Sequence, residues 1–91
     1  MRHKAILLKC IEFSGVRKQE TIVIEEMAEL TKAIVKYWRT DEGRASIVEE
    51  IADVEIMLDQ LKLIHDIQEW ELNAVRDQKI NRLKAGFYKS I

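Results

Sequence analysis

Apolar residues recur along the chain at intervals of three and four, the spacing that lines one side of an α-helix. Val23, Met27, Leu30, Ile34 and Trp38 carry it through residues 18–39, and Ile47, Ile51, Val54, Leu58 and Leu61 through residues 46–64. A shorter apolar run predicts a first helix over residues 3–13, closed by Ser14-Gly15. A fourth is expected from Asp66 to about Ala85, with Trp70, Val75, Ile80 and Leu83 as its inner residues. Ser46 followed by Glu49 reads as a capping box for the third helix, and Asp66 with Glu69 as the cap of the fourth.

Proline is absent, and Gly15, Gly43 and Gly86 stand where helices are expected to end. Thr40-Asp41-Glu42-Gly43 makes the central turn. No linker or low-complexity segment divides the 91 residues, so residues 1–91 form a single all-α domain. Four helices with short connections predict an antiparallel, four-helix-bundle-like arrangement. A chain this short buries only a modest share of its surface, so completion of the core by homo-oligomerisation, as a homodimer or homotetramer, is expected.

Composition narrows the function classes. Sixteen acidic residues against fifteen basic ones leave a net charge of −1, which gives no electrostatic reason to bind a nucleic-acid polymer or an anionic membrane. No apolar run reaches transmembrane length, and residues 5–8 are too short a run for a signal peptide. The single cysteine, Cys10, lies among Leu7, Leu8 and Ile11 and rules out an internal disulfide framework. A cytoplasmic protein with a buried, inert thiol is the expectation.

The candidate chemistry lies in acids placed three apart. Glu26/Glu29 and Glu50/Asp53 each aim two carboxylates from one side of a helix. In so acidic a chain the spacing alone is weak, and Asp66/Glu69 repeats it. Two further features give it weight. The four acids sit on or beside the apolar stripes, where charge needs a partner or a metal. Moreover, Ile24-Glu-Glu-Met-Ala-Glu-Leu30 and Val48-Glu-Glu-Ile-Ala-Asp-Val54 match in residue type at all seven positions. Two helices with the same local surface can meet about a pseudo-twofold axis, the alanines permitting close approach. Paired carboxylates on facing helices suit Mg²⁺, a hard cation that takes a few carboxylates and keeps positions for water and phosphate.

Glu26-x-x-Glu29, twenty intervening residues, then Glu50-x-x-Asp53, with the strings 24–34 and 48–58 around them, resembles the signature of the MazG-like nucleoside triphosphate pyrophosphohydrolases, in the all-α NTP pyrophosphatase superfamily. The resemblance extends from Ser14-Gly15 and Gln19 to Lys79-Ile-Asn-Arg82-Leu83. It implies hydrolysis of ribo- or deoxyribonucleoside triphosphates between the α- and β-phosphates, giving a monophosphate and pyrophosphate. It further implies Glu26, Glu29, Glu50 and Asp53 as ligands of Mg²⁺, with Mn²⁺ as a substitute, and one of them as the activator of water; Glu29 is assigned that second role.

Lys36, seven residues after Glu29 and so on nearly the same side, is expected at the phosphates. Lys79 and Arg82 match a Lys-x-x-Arg pair that the family often carries. Gln19 matches a glutamine of similar proteins and is expected to hydrogen-bond a base or sugar; Trp38 can stack on a base, although it also fits the apolar stripe. At Ala85-Gly86 the chain departs from relatives that carry another basic residue there.

Three other readings compete. A dUTPase-like or phosphoribosyl-ATP pyrophosphatase-like hydrolase would use similar acids. A di-iron bundle would need Glu-x-x-His, and neither His3 nor His65 has a glutamate three residues before it. A non-catalytic helical dimerisation or interaction module would use the acids only to solvate a face.

Overall fold

A computed structural model describes residues 1–89, with side-chain surroundings through residue 87. The chain is all-α: α1 (Lys4–Ser14), α2 (Val16–Thr40), α3 (Arg44–Ile64) and α4 (Glu69–Lys89). Among the described residues, no helix is long and apolar enough to cross a membrane.

Two glycines make the first two corners. Gly15 takes φ 88° and donates its N–H to the Ile11 carbonyl at 2.8 Å, closing α1 as expected and opening α2 in the same step. Gly43, at φ 97°, precedes α3. Both conformations strain any residue with a Cβ. The proposed capping box does not form: α3 starts two residues before Ser46, without a side-chain cap, and the Ser46 N–H instead donates to the Gly43 carbonyl. At α4 the cap shifts by two residues. The Gln68 N–H donates to Glu71 Oε2 at 2.9 Å, and the Gln68 side-chain amide donates to Asp66 Oδ1, so Gln68 takes the place expected of Asp66. Gly86 does not end this helix, which continues to Lys89.

The packed part of the molecule is the α2–α3 hairpin with α1 laid across it. Glu20 faces His65 at 3.1 Å, while Glu26 meets Glu50 and Asp53, so the two long helices run antiparallel. Between these layers Val23 and Met57 are buried, at 3% and 7% exposure. α1 adds buried Leu7 and is clasped to α2 by Gln19, whose amide donates to the Cys10 carbonyl at 3.0 Å.

The core is narrower than the apolar stripes predict. On α2, Val23 is buried but Met27 is half open and Trp38 is 77% exposed, so Trp38 is a surface residue at the helix end. On α3 the side turned to α2 carries Glu50, Asp53 and Met57, and the heptad-like stripe from Ile47 to Leu61 lies about a quarter-turn away. Among the described residues, α4 makes no close backbone approach to α1, α2 or α3. Its tie is at its start, where Lys62 bridges Asp59 at 3.4 Å and Glu69 at 3.1 Å. Trp70, Val75, Ile80 and Leu83, expected to face inward, are therefore exposed.

Candidate metal centre

The two copies of the seven-residue pattern lie on facing helices, and their acids meet between them. One carboxylate oxygen from each of Glu26, Glu50 and Asp53 lies within 4.8 Å of the other two. None of the three forms an ion pair among the described residues. Glu50 Oε2 is buried and has no hydrogen-bond partner. Leaving such an oxygen unsatisfied costs on the order of 1–3 kcal/mol or more, which makes the cluster a poor purely structural device. Burial first, and then the charges of Asp53, Glu50, Glu29 and Glu25, push the Glu26 carboxyl above its ordinary value.

The pseudo-twofold expected from the repeat is only partly realised. Glu26 and Glu50 occupy equivalent positions and both join the cluster. Asp53 joins it too, whereas its counterpart Glu29 does not and pairs with Lys32 at 3.7 Å. Ala28 and Ala52 are exposed, so the close approach of the helices does not run through them.

Glu29 lines the groove next to the cluster. This open groove, of about 440 Å³, is bounded by Glu29, Lys32, Lys36 and Arg39 of α2 and by Ser46 and Glu50 of α3. Glu50 thus borders both the acidic cluster and a cationic channel. Lys36 stands where its spacing from Glu29 placed it. Lys32 and Arg39 were not singled out from the sequence, although they stand three and ten residues after Glu29, on the same side of the helix.

The other expected substrate contacts are scattered. Trp38 is exposed next to Arg39 at the end of α2. Gln19 is buried and its amide is committed to the Cys10 carbonyl. Lys79 and Arg82 line a shallow surface with Leu83 on α4, which does not bring them to the carboxylates of its own chain.

The donor set fits a hard cation. Three carboxylates supply only oxygen, with no sulfur or imidazole among them, and the orphan Glu50 oxygen is a ligand atom without a donor. No family model, curated protein or solved structure matches this chain, so the acidic cluster and its cationic groove are the features from which a function has to be argued.

Proposed function

We propose that the protein hydrolyses nucleoside triphosphates to a monophosphate and pyrophosphate, in a reaction that depends on a divalent cation held by the α2–α3 carboxylates. The observation that carries this reading is the convergence of Glu26, Glu50 and Asp53 within 4.8 Å, with Glu50 Oε2 buried and unpartnered. The resemblance of the two acidic strings to MazG-like pyrophosphohydrolases supports the choice of reaction.

In this account Glu26, Glu50 and Asp53 are the ligands of Mg²⁺ or Mn²⁺. The ion, when bound, supplies neutralisation of triphosphate charge and a water of lowered pKa. Glu29, at the boundary between cluster and groove, is the general base that takes a proton from the attacking water. Its pairing with Lys32 is loose, at 3.7 Å between exposed side chains, and leaves the carboxylate open to water. Lys32, Lys36 and Arg39 hold the phosphate oxygens and stabilise charge on the departing pyrophosphate.

The interaction-module reading accounts for the exposed apolar stripes but leaves three converging carboxylates without a cation. The deciding experiment incubates the protein with a panel of ribo- and deoxyribonucleoside triphosphates, with Mg²⁺, Mn²⁺ or EDTA, and separates the products. Metal-dependent monophosphate and pyrophosphate in equal amounts is expected. Diphosphate with orthophosphate, or no turnover of any nucleotide by a folded protein, would overturn the assignment.

A further inference from the structure

The matching strings of α2 and α3 put Glu29 at the position of Asp53, three residues after Glu26 as Asp53 is after Glu50, and on the same side of its helix. Asp53 turns to the cluster, and Glu29 does not. What differs is the residue three positions on. After Glu29 it is Lys32, whose Nζ stands 3.7 Å from Glu29 Oε1. After Asp53 it is Ile56, which offers no charge. Glu29 nonetheless stays close enough to the cluster for its charge to help push up the Glu26 carboxyl. Lys32 also lines the groove with Lys36 and Arg39, so it stands between the acids and the place proposed for phosphate.

The contact is suited to exchange. An exposed ion pair is weak, and 3.7 Å is too long for a charge-assisted hydrogen bond. A phosphate carries more charge than a carboxylate and offers more acceptor oxygens, so it displaces Glu29 from the Lys32 ammonium. The side chains of Lys32 and Glu29 are 75% and 51% exposed, and their separation moves no packed group.

We propose that Lys32 is a positioning residue that couples the groove to the cation site, holding Glu29 off the cluster while the groove is empty and releasing it when phosphate takes its place. The proposal rests on the hydrolysis reading, from which both the cation and the phosphate come. Released Glu29 adds a fourth negative charge to those of Glu26, Glu50 and Asp53, and is free to accept a proton from water only once substrate is present. By linkage, phosphate in the groove and cation at the cluster then strengthen each other's binding through Glu29.

The test is Mn²⁺ binding to the full chain, followed by the electron paramagnetic resonance of the free ion, with circular dichroism to establish folding. Without nucleotide, Lys32→Met is expected to bind Mn²⁺ about fivefold more tightly than wild type, the equivalent of about 1 kcal/mol. In a Glu29→Gln background the same substitution should change the affinity by less than about twofold, because Lys32 acts through Glu29. A nucleoside triphosphate with a methylene group in place of the α–β bridging oxygen should tighten Mn²⁺ binding about fivefold more in wild type than in Lys32→Met. Equal affinity in wild type and Lys32→Met would overturn the proposal and leave the cation site standing. So would an undiminished gain from Lys32→Met in the Glu29→Gln background, which would trace the effect to the lysine charge alone. A folded wild type that binds no Mn²⁺ would overturn the hydrolysis reading and this proposal with it.

Discussion

Glu26 on α2 and Asp53 on α3 hold carboxylate oxygens within 4.8 Å of each other, and neither has a cationic partner among the described residues. Two like charges that close are tolerated when a cation is available to sit between them or when one acid keeps a proton. Both possibilities can be measured.

Mg²⁺ should raise the melting temperature. An ion that binds only the folded chain at tenfold above its Kd adds about 1.4 kcal/mol, which for a domain of this size is a rise of roughly 6–11 °C. Differential scanning fluorimetry with Mg²⁺, Mn²⁺ and EDTA reads the shift directly. Glu50→Gln should abolish most of it, and K⁺ should not reproduce it. An unchanged melting temperature with both divalent ions would count against the site.

The raised Glu26 carboxyl sets a pH dependence in the metal-free protein. Its folded form holds a proton more tightly than the unfolded chain does, so ionised Glu26 costs stability above its raised value. That cost fades as pH falls and is gone below the ordinary carboxylate range. Glu26→Gln should therefore melt higher than wild type at neutral pH in EDTA, with the difference closing as the solution is acidified. A constant difference across the titration would show that the gain comes from packing instead.

The cationic groove makes a kinetic prediction. Lys36→Ala and Arg39→Ala should each raise KM for a nucleoside triphosphate about tenfold, the scale of one charge-assisted phosphate contact. Neither should change the melting temperature by more than a degree or two, since neither side chain forms an ion pair among the described residues. Steady-state kinetics with Mg²⁺ in excess is the measurement.

How far this was legible in the sequence depended on whether a signal was local. The four helices follow from three- and four-residue periodicity, and Gly15 marks the first corner because its φ of 88° suits little else. The Glu26, Glu50 and Asp53 convergence follows from two matching strings on one hairpin. What periodicity cannot say is which of two adjacent sides of a helix faces its own chain. On α3 the apolar stripe straddles the edge of the packed side: Ile51 and Leu58 are turned outward, Ile47, Val54 and Leu61 are half-buried, and Met57 is buried. The same ambiguity misplaces Trp38, whose spacing fits the stripe but which is 77% exposed. Gln19 is expected at a base or sugar because it matches a glutamine of similar proteins. Here it satisfies a backbone carbonyl across the α1–α2 corner.

α4 is attached through the Lys62 bridge, whose charge is favoured first by its hydrogen bond to Glu69 and also by Asp59. Lys62→Met should lower global stability by less than about 1 kcal/mol, as for most exposed pairs. It should nonetheless speed amide exchange over residues 69–75, where α4 has no other polar tie to α3 among the described residues. Hydrogen exchange by mass spectrometry separates the two effects.

The most direct test of the central claim is the rate of pyrophosphate release by wild type and by Glu50→Gln at saturating nucleotide and Mg²⁺. The substitution keeps the shape of the side chain and removes its charge, so circular dichroism should be unchanged. The account predicts a loss of at least about 100-fold in kcat, on the scale seen when one preorganised electrostatic group is removed. A folded Glu50→Gln protein that releases pyrophosphate at the wild-type rate, or a wild type equally active in EDTA, would contradict it.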